Sequence, residues 1–509
     1  MNKINKILLG IAVVCSIANT SCTKDFQEIN TDPNNSSSAL PQQLLAPALV
    51  STLTYNMLRN RNFNNELMQV TVDQSDADGR VFRYDYRSNW SDYLYNGWYS
   101  ELTNFKDIYK GASTELNFNR SYQGISLICQ SWVYSLLTDT YGDVPYFESN
   151  QARDSSIYEP AFDRQKNIYL DIFNKLEAAD TLLSKNTSIA ASSDPVFNGR
   201  VSLWRKFGNS LYLRLLLRLS GKAEVSQDVI AKMKEIVNDP VKYPIMSSND
   251  ESAILKWTGV APYTSPLLTV REQDFRAPGI ASFFIDNLAI WNDPRIDLAY
   301  GSGTPTKTNR WAIAPYQGAF EGLPSGYAIG DNPVRKSYFY STSNNGNTGP
   351  SLATEPLAGM IMNYAELQFI LAEAAAKGFI DGSAETYYNK GVEASIKLWI
   401  PTWPVAVTDY LASADMLWNE GATLDEKMEK IHLQKYYALF LVDLQQWFEY
   451  RRTGHPVLPK GSGLRNNGEM PARMTYPVYV QSTNPTNYKA AVAEQGPDLI
   501  STKVWWQKP

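Results

Sequence analysis

"MNYAELQFILAEAAAKGFIDGSAETYYNKGVEASIKLW" (Met362–Trp399) decides the fold. Leu367, Ile370, Leu371 and Ala374 recur at i, i+3, i+4 and i+7, one apolar stripe along a helix. Gly378 ends it, because glycine readily takes the left-handed backbone that closes helices. Ala384, Tyr388 and Gly391 then resume the period and face back. With Ala372 they approximate the spacing of a tetratricopeptide helix pair, although the tandem signature is incomplete.

Outward from this pair the helical pattern continues. Downstream, "TLDEKMEKIHLQKYYALFLVDLQQWFEYRRTGHP" (Thr423–Pro456) opens on a Thr423/Glu426 capping box and stops at Gly454 and Pro456. His455, beside Arg451 and Arg452, reads as a helix C-terminus whose cations complement the dipole. Upstream, helical stretches cover 90–112, 122–149 with a stop at Gly142, 164–183 and 200–220. Trp90, Trp204, Trp399 and Trp447 sit in or beside these helices and read as core. Between about 243 and 354 the chain changes character: Gly, Pro, Ser, Asn and aromatics dominate, and helical periodicity returns only around 279–291. Long irregular stretches inside a domain are usually functional or disordered, and the aromatics here argue against disorder.

Composition narrows the function. The chain has 509 residues, 12% of them aromatic, including 31 Tyr and 13 Trp. Tyr and Trp join an apolar face to a polar tip and favour half-wet surfaces. A net charge of −5 with no basic cluster argues against a nucleic-acid binder, which needs a cationic footprint. Two histidines, His432 and His455, cannot build a His-rich zinc site. No phosphate loop, H-E-x-x-H or G-x-S-x-G motif is present.

Lys3 and Lys6 followed by "ILLGIAVVCSIA" (Ile7–Ala18) form a secretory signal peptide, residues 1–21, too short to span a bilayer. Cys22 follows Thr20 and Ser21 and reads as the lipidation point of a bacterial lipoprotein, to be acylated and palmitate-bearing. Asn19 departs from the aliphatic residue usual at its position. Residues 22–43, with "INTDPNNSSSALP", read as a tether. Cys129, in an apolar helix, reads as a buried structural thiol.

The stretches "CTKDFQEINTDPN", "LLTDTYGDVPYFES", "SLWRKFGNSLYLRLLLRLS", "DFRAPGIASFFIDNLAIWNDPRIDLAY", the helix pair quoted above and "IHLQKYYALFLVDLQQWFEYRRTGHPVLP" resemble, in this order, the SusD/RagB family of outer-membrane lipoproteins, in its second SusD-like branch. The resemblance implies a mainly α fold. Its tetratricopeptide-like helix pairs form a scaffold, against which a loop-rich ligand-binding portion packs. Residues 44–509 are then one SusD-like domain, with scaffold at about 90–220 and 358–456 and the loop-rich portion at about 243–357. It implies a non-catalytic protein at the outer face of the outer membrane. Such a protein binds oligosaccharide and delivers it to a SusC-like TonB-dependent transporter. Two alternatives remain: the peptide-binding component of a similar importer, or a lipid-anchored hydrolase.

Sugar rings present C–H patches that stack on aromatic faces, and hydroxyls that need polar partners. Two segments offer that mixture, "DQSDADGRVFRYDYRSNW" (Asp73–Trp90) and the irregular middle. The candidate ligand residues are Gln74, Arg83, Tyr84, Tyr86, Trp311, Tyr316 and Tyr338. In the first segment Asp76, Asp78, Gly79 and Asp85 also fall at positions three, five, six and twelve of an EF-hand-like count, with Gln74 at position one. An Asp/Gly turn explains them as well. The resemblance, some of whose members bind calcium, keeps Asp76, Asp78 and Asp85 as a calcium alternative.

Overall fold

Helix follows helix from Pro41 to Asn238 with little else between. The computed structural model describes residues 39–296, 309–343 and 350–508. The signal peptide, Cys22 and the tether as far as residue 38 lie outside the described residues. In chain order the main helices are α1 (Pro41–Arg59), α2 (Ser91–Gly111), α3 (Arg120–Tyr141), α4 (Gln165–Leu183), α5 (Val201–Leu219), α6 (Ser226–Asn238), α7 (Glu272–Arg276), α8 (Ser282–Ile290), α9 (Tyr364–Ala376), α10 (Ala384–Trp399), α11 (Leu424–Ala438), α12 (Gln445–Thr453) and α13 (Pro485–Gln495). The tether was expected to run to residue 43. Helix α1 instead starts at Pro41, where a missing N–H costs nothing because the first helical donors have no partner.

Neighbours in sequence are neighbours in space. Helix α1 packs on α2, α2 on α3, α3 on α4, α4 on α5 and α5 on α6, and the second group, α9, α10 and α11, joins through α5. This is the tetratricopeptide-type helical scaffold expected. From Ser121 to Tyr141 every residue of α3 is buried, polar ones such as Gln130 and Asp139 included, so α3 is central. Close approach is set by small residues. A Cβ at Gly391 would stand 2.8 Å from the Phe369 ring, and one at Gly97 2.7 Å from Tyr55, so any larger residue would push α10 off α9 or α2 off α1.

Helix ends follow local chemistry. Asn119 caps α3 by accepting from the N–H groups of Ser121 and Tyr122. The Thr423/Glu426 capping box on α11 is formed, and Gly142, Gly378 and Gly454 take the positive φ their positions require. Trp204, Trp399 and Trp447 are core as expected. Cys129 is buried and unpaired, and burial pushes its thiol well above the ordinary range.

Against the scaffold lies the irregular portion, crossed by short two-stranded pairings. Thr71–Val72 pairs with Gly279–Ile280, Ala253–Leu255 with Gly359–Met362, and Ile313–Ala314 with Tyr338–Phe339. Among the described residues no helix is long and apolar enough to cross a membrane.

Candidate functional site

The chain leaves α1 through a five-residue π turn, Asn60–Asn64. Such turns add a residue to the helix and re-aim side chains, often at functional sites. Here the asparagines anchor the turn: Asn60 Nδ2 donates to Asp443 O at 2.7 Å, and Asn64 Nδ2 to Gln446 Oε1 at 2.7 Å. Between them Arg61 and Asn62 are turned into a groove of about 220 Å³, which Glu66, Asp73, Arg80, Trp90, Asp274 and Pro278 also line.

The groove is charged and incompletely satisfied. Arg80 Nη1 reaches Asp73 Oδ2 at 2.9 Å, and Arg61 Nη1 donates to Asp274 O at 3.1 Å. Arg61 Nε and Asn62 Oδ1 are buried without a hydrogen-bond partner among the described residues. Leaving such groups unmet costs about 1–3 kcal/mol each. Glu66 accepts from Phe82 N at 3.3 Å; burial, helped by the charge of Asp73, raises its carboxyl to about 8. Half-buried Trp90 carries the Arg59 guanidinium 4.9 Å from its ring centroid, and the same cation lies 4.5 Å from Tyr93. Trp90, expected in the core, is therefore a groove wall, because only Phe63 among the aromatic rings packs against it.

The structure joins the two segments from which ligand residues were expected, and Gln74, Asp76 and Arg83 are spent on that joint. Gln74 donates to Pro333 O, and Asp76 accepts from Gly330 N at 2.9 Å. Arg83 is buried and bolts three loops together. It donates to Ser75 O at 3.0 Å, Tyr327 O at 2.7 Å and Gly463 O at 3.1 Å, and it pairs with Asp76 at 2.7 Å. Phe82 and Tyr327 close over its faces. Gly463 must be glycine, since a Cβ there would stand 2.3 Å from Arg83 Nη1.

The exposed rings expected at Tyr84, Tyr86 and Trp311 are corrected by burial. Tyr84 is 1% exposed and Tyr86 6%, with Tyr86 donating to Arg473 O at 2.5 Å and meeting Phe63 edge-on. Trp311 is fully enclosed, stacked on Phe284 at 5.6 Å, with Arg295 4.7 Å from its centroid. Arg83, likewise sealed, has no group left for a ligand. Tyr316 and Tyr338 stay half-buried; Tyr316 begins a tight turn to Ala319, and Tyr338 lies under Arg335 at 4.2 Å.

The calcium alternative also meets a correction. Asp76 holds Arg83, Asp78 pairs with Arg465 at 3.2 Å, and Asp85 accepts from Gly79 N at 2.6 Å, so the three carboxylates serve separate partners. Among the described residues the cluster with metal-ligand spacing is Glu373, His432 and Glu449. Arg452 already bridges its two carboxylates. His455 holds Glu429 at 2.6 Å and Asp425 at 3.2 Å, which raises its pKa above the ordinary value.

The groove residues missed from the sequence had one legible signal. "NRNFNN" (Asn60–Asn65) is a polar interruption in an otherwise apolar helix. Asp274 gave none, since it reaches the groove only through the placement of α7.

The SusD-like family described as "Starch-binding associating with outer membrane" matches residues 33–477. A chitin-binding SusD homologue from Flavobacterium johnsoniae superposes with a TM-score of 0.74 at 20% identity, over 92% of this chain and 98% of its own. SusD homologues from Bacteroides uniformis and Bacteroides fragilis give 0.73 and 0.72, each at 24% identity and over 92% of this chain, with 99% and 100% of their own lengths covered. No curated protein matches the chain.

Proposed function

Because the chain belongs to the SusD-like family of outer-membrane nutrient-binding proteins, we propose that it binds an oligosaccharide in the groove beside Trp90, without altering it, and delivers it to a SusC-like TonB-dependent transporter. Acylation of Cys22 would hold residues 44–509, as one domain, at the cell surface. The observation that carries the reading is the pairing, in one recess, of a half-buried Trp90 with the polar side chains of Arg61, Asn62, Asp73 and Arg80. Stacking plus directed hydrogen bonds is what a sugar asks of a protein. The chitin-binding neighbour supports a glycan as ligand. Tyr316 and Tyr338 are retained as flanking contacts.

The charges of Arg61, Arg80, Asp73 and Asp274 favour one second reading, a peptide whose termini meet them. Glycan arrays and peptide pools run on the same purified chain separate the two; tight peptide binding without a sugar signal would replace the glycan. Sugar recovered unchanged supports binding alone, whereas turnover lost in Glu66→Gln or Asp73→Asn would make the protein a hydrolase. Co-purification with a large β-barrel protein tests the transporter. Retention of Cys22→Ala on membranes would remove the anchor.

A further inference from the structure

A second recess, of about 560 Å³, opens between α2, the loop 145–160 and Tyr479. Among the described residues no Asp, Glu, Lys or Arg lines it. Its walls are tyrosines and amides. Tyr158 is 75% exposed and Tyr479 40%, while Tyr99 stands half-buried between them and the helix. The surface is built rather than loose. Tyr99 Oη donates to Pro145 O at 2.6 Å, and Asn150 Nδ2 to Tyr99 O and Thr103 Oγ1 at 2.7 and 2.8 Å. Tyr479 Oη donates to Asn96 Oδ1, and the Asn96 side chain is exposed. Gln151 donates to Phe147 O at 2.7 Å and keeps its carbonyl oxygen for another donor.

We propose that this recess is a second binding subsite, for an uncharged oligosaccharide chain. Tyrosine faces would take the sugar C–H surfaces, and the amides its hydroxyls. A uronate, a phosphate or a peptide terminus would find no counter-charge to replace its hydration, which distinguishes this site from the charged groove. The inference rests on the glycan reading above, and the two are separable by experiment.

The full mature chain is titrated against uncharged gluco-, manno-, xylo- and chito-oligosaccharides, and the best hexasaccharide is followed by hydroxyl-radical footprinting. Saturation should protect Tyr158 and Tyr479 as well as Trp90. Tyr158→Ala should weaken the recess sites by about tenfold, as expected for truncating an aromatic anchor. Tyr479→Phe keeps the ring and controls for folding; it should retain ring protection. Protection at Trp90 alone, with Tyr158→Ala indistinguishable from wild type, overturns the second subsite and leaves the groove reading standing. Protection at Tyr158 and Tyr479 alone does the reverse. Binding of none of these sugars overturns both.

Discussion

Arg218 and Arg61 show two uses of one side chain. In the scaffold, Arg218 of α5 is fully enclosed and meets Asp139 at 2.5 Å and Glu449 at 3.1 Å, and it also donates to Gln445 at 2.8 Å. Nearby, Arg214 grips Glu366 with two bonds of 2.6 Å, and Arg452 ties Glu373 to Glu449. Burial pushes Glu449 upward, yet Arg452, Lys435 and Arg218 together hold it well below the carboxylate range. In the groove, Arg61 donates to a backbone carbonyl, that of Asp274, instead of a carboxylate. Charge that is neutralised by charge locks helices together, whereas Arg61 is held through a neutral partner on the wall of the groove. The contrast lets the scaffold be rigid while the irregular face stays chemically open.

The scaffold side of this comparison is broken most severely by Arg218→Ala, which takes its paired cation from buried Asp139, while Glu449 keeps Lys435 and Arg452. Removing one partner of a buried pair costs about 3–5 kcal/mol. Urea denaturation should report a loss of that size, and a loss below about 1 kcal/mol would mean the network is not holding the helices.

Glu66 sharpens the groove side through pH. Its folded value of about 8 lies above the unfolded 4.5. Its stabilisation is therefore full below pH 4.5 and is lost as pH rises through 8, at a slope of at most about 1.4 kcal/mol per pH unit. Glu66→Gln cannot ionise. It should match wild type near pH 4.5 and become the more stable protein, by roughly 2–4 kcal/mol, at pH 8. Parallel pH profiles of the two proteins would show that Glu66 already ionises in the folded state.

Arg83 belongs to the irregular face but behaves like a scaffold residue. Arg83→Ala should cost about 1–3 kcal/mol and speed proteolysis between Asp73 and Arg80. Arg83→Lys should fail to restore it, since one ammonium cannot reach three carbonyls in the planar fork. Full rescue by lysine would reduce its role to charge alone.

Such distinctions set what the sequence could and could not reveal. Helix ends at Gly142, Gly378 and Gly454, and the Thr423/Glu426 cap, depend on residues within one turn, so local pattern is enough to find them. The family motifs are scaffold motifs for the same reason. An aromatic ring in a loop has no such local determinant. Trp311 is sealed by Phe284 and by Phe440, the latter at 4.9 Å and far along the chain. Trp90, beside a helix start, packs on the core beside Phe63 and Arg59 but also lines the groove, so it is left half-open. The tyrosine recess likewise needs Tyr479 to return to α2. Burial of these rings is a property of tertiary partners, which no periodicity encodes.

Trp90→Ala gives the smallest expected change and the most direct test of the contrast. If the groove is open for ligand, the half-buried ring contributes less to the fold than an enclosed tryptophan would, because part of it lines the groove. Its loss should then change folding stability by no more than about 1 kcal/mol, in the range of exposed cation–π contacts. Glycan affinity should fall by about tenfold, equivalent to about 1.4 kcal/mol. Trp90→Phe should recover part of that affinity by keeping an aromatic face. Denaturation and calorimetric titration on the same samples separate the two quantities. A large stability loss with unchanged affinity would move Trp90 back into the scaffold and leave the groove without its stacking face.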